Sequence, residues 1–292
     1  MVNANLDQPL RERAEALGSI LPPLLVRAER VAATVVQGVH GRRRVGQGEA
    51  FWQFRRYQPG DATSRIDWRQ SAKGRHVFVR ENEWEAAQSV WLWRDGSGSM
   101  DFASDRTLEP KRTRADLLVL AMAALLLRGG ERVALLDQGS PPRNSRAMLT
   151  RLAQELSQPG GDVPIARPLP RYGRVVLVSD FLSDLDQISR TVAAYADQGL
   201  GGCLLQVTDP AEETLPYQGR VRFEGFEGDG EVLVRRTEGL RDAYIARLAA
   251  HRAAIGDIAR RAGWSFGRHT TSEPPERAVL WLYQALAGAE GR

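Results

Sequence analysis

Gln88-Ser-Val-Trp-Leu-Trp-Arg-Asp-Gly-Ser-Gly-Ser-Met100 is the stretch from which the fold can be read. Its apolar run, Val90 to Trp93, has the length of one buried strand and breaks at Asp95 into a turn of Gly and Ser. The turn reads Asp95-x-Ser97-x-Ser99, one carboxylate and two hydroxyls on a loop that Gly96 and Gly98 let fold tightly. Hard oxygen donors carrying little charge suit Mg²⁺ or Mn²⁺, which keep some of their waters. The same residue types also cap helices at an ordinary strand-to-helix turn, so the pentapeptide alone leaves both readings open.

Downstream, strands and helices alternate. Strand-like runs cover Val90–Trp93, Arg132–Leu136, Val175–Val178 and Cys203–Val207, and helix-like segments cover Arg112–Leu127, Ser145–Leu156 and Leu185–Ala196. This pattern predicts an α/β fold, a doubly wound, mainly parallel sheet with helices on both faces. An aspartate closely follows each strand-like run: Asp95, Asp137, Asp180 and Asp209. Such positions line the carboxyl edge of an open parallel sheet, where ligands bind. Aspartate is also a good N-cap, but four in register favour a cation site. Beyond Asp209, Gln218–Glu238 alternates about Glu227–Gly230 and predicts a β-hairpin. A long helix over Leu240–Ala262, a strand over Trp264–His269 and a helix over Glu276–Leu286 close the chain.

Upstream, Leu6–Val39 has near-helical spacing broken at Pro22-Pro23, which predicts an arm or layer against the main body. The next stretch is rich in Gly, Arg and aromatics. It contains Arg56-Tyr57-Gln-Pro59-Gly60-Asp61, then Arg65-Ile66-Asp67-Trp68-Arg69-Gln-Ser71-Ala72. Interleaved Arg56, Asp61, Arg65, Asp67 and Arg69 predict an ion-pair lattice around a loop held by Tyr57 and Trp68. Arg and aromatics together can grip a nucleic-acid strand, but the carboxylates would repel phosphate and argue against it. His76–Arg80 predicts a short strand. The expected organisation is an arm over 1–39, the Arg/aromatic segment over 40–86, and the α/β domain over 87–290 with a hairpin insertion at 217–238.

The 292 residues, 42% hydrophobic and 26% charged, suffice for a full core. One cysteine, Cys203, excludes an intramolecular disulfide and any Cys-based metal cluster, and its strand-like setting predicts a buried, inert thiol. The longest apolar run, Leu117–Leu127, is too short for a bilayer and is flanked by Asp116 and Arg128. Asp7, Glu12 and Glu15 interrupt the N-terminus, which shows no apolar signal-peptide core, so a cytoplasmic protein is expected. A net charge of +4 permits an anionic partner without demanding one. His40, His76, His251 and His269 have no ligand or triad spacing.

Asp95-x-Ser97-x-Ser99 after the first strand of a doubly wound pattern, with Asp180 after a later one, resembles a von Willebrand factor A domain and its metal-ion-dependent adhesion site. The string Arg56-Tyr57-Gln-Pro59-Gly60-Asp61, Arg65-Ile66-Asp67-Trp68-Arg69 and Ser71-Ala72 resembles the signature of the bacterial domain of unknown function 58 family. Together the resemblances cover the chain from about residue 40 to its end. They imply a MoxR-type AAA+ ATPase as partner and a Mg²⁺ or Mn²⁺ site at Asp95, Ser97, Ser99 and Asp180. Family A domains add a threonine from an intervening loop. The corresponding stretch here, Gln138–Ser145, has none, and Ser140 or Ser145 is its substitute or, for Ser145, a helix cap.

Two function classes follow. One is a non-enzymatic binding module whose metal accepts a carboxylate from a protein client. The other is Mg²⁺-dependent phosphoryl transfer with Asp95 as nucleophile. Phosphatases of that kind carry Asp-x-Asp after the first strand. Here Ser97 holds the second position and cannot do acid–base work near neutral pH, and no lysine stands at a convincing place after the later strands. The binding module is the expected function.

Overall fold

The structure, a computed structural model, describes residues 23–36, 51–57, 66–74, 76–82, 87–145, 147–225 and 230–287. The chain divides into two compact units, one of Met1–Gly41 with Gln88–Arg292 and one of Arg42–Ala87.

In the larger unit five parallel strands form the central sheet: β3 (Ser89–Arg94), β4 (Arg132–Leu135), β5 (Arg174–Ser179), β6 (Gly201–Thr208) and β9 (Ser265–Thr270). Their order is β4-β3-β5-β6-β9. Every residue after the first is buried in β3, β5 and β6, so both faces of the sheet are covered. The covering helices are α3 (Lys111–Arg128), α4 (Ala147–Leu156), α5 (Leu185–Ala196), α7 (Arg241–Arg261) and α8 (Pro275–Ala287). α3 packs on α8, and α5 on α7. Leu117 to Leu126 is buried without a break, so α3 is wrapped by apolar neighbours all round and shows no polar face there. The described part of the expected arm is α1, residues 23–36. Its Ala28, Val31, Ala32 and Val35 belong to the same core as the sheet. The expected helix over 6–22 lies outside the described residues. Cys203 is buried in β6, and burial pushes its thiol up to about 12, so it stays protonated.

A short helix, α6 (Pro210–Thr214), follows β6, and then β7 (Val221–Glu224) and β8 (Glu231–Val234) pair antiparallel as a hairpin. Among the described residues no helix is long and apolar enough to cross a membrane.

In the smaller unit β1 (Phe51–Arg56) and β2 (Phe78–Asn82) pair antiparallel, joined through α2 (Trp68–Ser71). The sequence reading had no strand at β1, because Arg and aromatics there break the alternation. Pro59, Gly60, Asp61 and Arg65 lie outside the described residues. Among the described residues of the motif, Asp67 and Ser71 form a clip. Asp67 caps α2, its carboxylate accepting from Gln70 N at 2.8 Å. Ser71 Oγ donates to Asp67 O at 2.7 Å and accepts from Phe78 N at 2.8 Å, which ties α2 to β2. Tyr57 N donates to Val77 O at 2.8 Å, while Trp68 is 68% exposed. Asp67→Ala is therefore expected to cost about 1 kcal/mol, the value of an N-cap, and not the ~3 kcal/mol of a broken buried ion pair. Urea denaturation of the two proteins measures the difference, and a loss near the larger figure would place Asp67 in the expected lattice.

Candidate functional site

The site lies at the topological switch point of the sheet. From β3 the chain crosses through α3 to β4 on one side, and β5 lies on the other, which opens a crevice at the carboxyl ends of β3 and β5. Arg94 pairs with Val178, so Asp95 and Asp180 leave their strands almost side by side. Asp95 N donates to Val178 O at 2.9 Å.

The four predicted oxygen donors meet here. Asp95 is fully buried; its Oδ1 accepts from Ser97 N at 2.8 Å and its Oδ2 from Ser179 Oγ at 2.6 Å. Ser99 Oγ donates to Asp180 Oδ2 at 2.7 Å, and Ser97 Oγ lies 3.1 Å from Ser99 Oγ. A hydroxyl has one proton, so Ser99, which gives its own to Asp180, accepts from Ser97. Both hydroxyls then keep a lone pair for a cation. Burial, followed by the nearby Asp180 carboxylate, pushes Asp95 up to about 6, as expected of an acid that lacks a full counter-charge. Among the described residues no three His, Cys, Asp or Glu side chains are grouped to hold a metal. A site here rests on two carboxylates and two hydroxyls, a low-charge oxygen set that fits a small, hard, partly hydrated cation.

The loop is clamped from two sides. Arg112 donates to Gly96 O at 3.0 Å and to Ser97 O at 2.8 Å. Gly96 N donates to Gly161 O at 2.9 Å. The Asp180 turn is braced as well. Phe181, at φ 52, is a non-glycine residue in left-handed backbone, and its N donates to Ser179 Oγ at 2.7 Å. Its carbonyl accepts from His251 Nε2 at 2.6 Å.

Other expected contributors fall elsewhere. Asp137 accepts from Trp93 Nε1 at 2.6 Å, and Asp209 caps α6 while accepting from Ser104 N at 3.0 Å. Two of the four strand-end aspartates therefore serve the scaffold. Ser140 Oγ accepts from Arg151 at 2.6 Å and Ser145 is exposed. Neither bonds to the Asp95 cluster. The loop that touches Gly96 is Gly160-Gly161, just before β5, and it carries no hydroxyl side chain.

Three residues escaped the sequence reading: Ser179, Glu212 and Lys111. Lys111, the first residue of α3, is fully buried, with its ammonium 2.8 Å from Asp180 Oδ2 and 2.5 Å from Glu212 Oε1. Burial works against that charge, but Asp180 and Glu212 outweigh it and hold the lysine above its ordinary range. The expectation that no lysine follows the later strands at a convincing place is untouched, since Lys111 opens α3 after β3 and reaches Asp180 only through the fold. A compositional signal was present: Lys111 and Lys73 are the only lysines among 40 basic residues.

Residues 53–254 match the family described as Protein of unknown function DUF58. The chain belongs to this family. Uncharacterized proteins of Mycobacterium bovis (strain ATCC BAA-935 / AF2122/97) and Mycobacterium tuberculosis (strain ATCC 25618 / H37Rv) are each 29% identical over 286 residues, 90% of this chain and 86% of the relative. Among solved structures, the conserved hypothetical protein BatB from Bacteroides thetaiotaomicron aligns over 69% of this chain and 100% of its own, at 15% identity and TM-score 0.41. An aerotolerance-related membrane protein from Bacteroides fragilis NCTC 9343 aligns over the same shares at 13% identity and TM-score 0.44. The family match spans Asp95, Ser97, Ser99 and Asp180 together with the whole Arg56–Ala72 motif.

Proposed function

We propose that this family member is a non-enzymatic, metal-dependent adaptor of the von Willebrand factor A type, working in the cytoplasm with a MoxR-type AAA+ ATPase on a protein client. The observation that carries the reading is the convergence of Asp95, Ser97, Ser99 and Asp180 at the switch-point crevice. These four residues would hold Mg²⁺ or Mn²⁺. Bound there, the ion supplies an electrophilic position for an Asp or Glu side chain of the client. The chain's own part is to orient the donors, through Ser179, Arg112 and the Gly161 carbonyl, and to keep Asp95 away from water.

Phosphoryl transfer by Asp95 draws support from one observation, the ammonium of Lys111 beside a strand-end acid. Against it, Ser97 stands where a general acid is needed.

Calorimetric titration with Mn²⁺ tests the site. Wild type is expected to give a binding isotherm and Asp95→Ala none. Ser99→Ala, which removes one hydroxyl and no charge, is expected to weaken binding by roughly tenfold, about 1.4 kcal/mol, without unfolding the domain. Equal heats from wild type and Asp95→Ala would remove the site. Capture of the ATPase with and without EDTA tests docking, with phosphatase activity assayed on the same sample. Capture indifferent to both EDTA and Asp95→Ala would discard this edge as the docking surface, and phosphate release that depends on Asp95 would favour the enzyme.

A further inference from the structure

Lys111 and Glu212 are charged groups of the site that the adaptor reading does not use. The Lys111 ammonium lies between Asp180 and Glu212 with no exposure to solvent. Asp180 Oδ2 has two lone pairs, and both are engaged, one by Ser99 Oγ and one by Lys111 Nζ. An oxygen so occupied has nothing left for a divalent ion, while Asp180 Oδ1 accepts from Leu182 N at 3.1 Å and keeps one lone pair. Glu212 is fixed independently, its Oε2 accepting from Asp209 N at 2.8 Å in the capping box of α6. The choice of lysine also carries information in a chain that otherwise uses arginine, with two lysines among 40 basic residues. A compact ammonium fits a cation-sized space between two carboxylates, and a planar guanidinium with its fixed fork does not.

We propose that Lys111 is a tethered cation that competes with the divalent ion for Asp180. The ammonium neutralises the crevice in the absence of metal; an ion that takes Asp180 Oδ2 must displace it, and one that takes Oδ1 must bind against its charge. Glu212 gives the displaced ammonium a partner, so that metal entry does not strand a buried charge. The inference rests on the reading of this edge as a divalent-cation site.

The experiment is Mn²⁺ titration by calorimetry on the full chain as wild type, Lys111→Gln and Glu212→Gln, with melting curves of each in EDTA and in Mn²⁺. Lys111→Gln is expected to bind Mn²⁺ at least tenfold more tightly than wild type. In EDTA it should melt below wild type, with Mn²⁺ restoring most of the difference. Glu212→Gln leaves the ammonium only Asp180 and is expected to bind several-fold more weakly. Should Lys111→Gln fail to fold, Glu212→Gln decides, and affinity equal to or above wild type overturns the competition. Affinity of folded Lys111→Gln within twofold of wild type, or below it, overturns the inference while the metal site stands. No Mn²⁺ binding by any of the three overturns both. A wild type without measurable binding beside a Lys111→Gln that binds supports the tethered cation and removes metal dependence from the native edge.

Discussion

Arg94→Met is expected to destabilise the larger unit by about 3–5 kcal/mol, the cost of breaking a buried ion pair from one side. For a domain of this size that lowers the melting temperature by on the order of 10 °C. The guanidinium joins three elements at the end of β3. Its Nε donates to Asp116 Oδ1 on α3 at 2.6 Å, its Nη1 to Asp95 O at 3.3 Å, and its Nη2 to Leu156 O at the end of α4. Burial raises Asp116 to about 6 even with Arg94 beside it, so the carboxylate has little else to stabilise its charge. The sign of the pH dependence follows. Ionisation of a carboxyl whose folded pKa lies above its unfolded 3.8 costs the native state stability as pH rises through about 4 to 6. Without Arg94 that cost grows. The deficit of Arg94→Met against wild type should therefore be largest above pH 6 and shrink as Asp116 takes a proton towards pH 4. Urea denaturation at pH 7.5 and at pH 4.5 measures it, and an equal deficit at both would mean that lost packing, and not an unpaired charge, is the cause.

Gly96→Ala should abolish or weaken Mn²⁺ binding by at least tenfold, or 1.4 kcal/mol. A Cβ on Gly96 would lie 2.4 Å from Gly160 Cα and 2.5 Å from Gly160 N. Both partners are backbone, so no side chain can swing aside, and the strain of overpacking costs about 1–3 kcal/mol. Relief comes only by moving one loop, and Asp95 and Ser97 flank the residue that must move. Gly160→Ala is the internal control, since its Cβ would meet Gly96 Cα at a milder 3.3 Å. The expected order of Mn²⁺ affinity is wild type, then Gly160→Ala, then Gly96→Ala. A Gly96→Ala protein that binds like wild type would show that this loop does not carry the site.

Much of the architecture was legible in the chain because it depends on short-range patterning. Val175–Val178 and Cys203–Val207 are apolar runs of strand length, and Leu117–Leu126 is too apolar for any place but the interior. Reading them as alternating strands and helices leaves a parallel sheet as the solution that buries both faces. Asp95-x-Ser97-x-Ser99 was legible for a similar reason: hydroxyls and a carboxylate two apart on a glycine turn carry their chemistry with them. At Asp67 local reading found the residue but gave it a different task, because an N-cap and an ion-pair partner are the same side chain until its neighbour is known.

The strand-end rule selected four aspartates, and only tertiary structure could divide them. Strand order β4-β3-β5-β6-β9 sets Asp95 and Asp180 on adjacent strands, whereas Asp137 turns to Trp93 and Asp209 to its own helix. The same fold turns Ser140 to Arg151 and sets the Gly160-Gly161 loop against Gly96, contacts that depend on long-range packing and not on proximity in sequence. Lys111 was the least accessible of all. It precedes Asp180 by 69 residues and Glu212 by 101, and no local pattern ties a lysine at a helix start to acids so distant. The sequence alone determined the strands and main helices of the α/β domain and the donor types. The charge that faces those donors was decided by the fold, since a buried ammonium is stable only where long-range pairing has already placed two carboxylates around it.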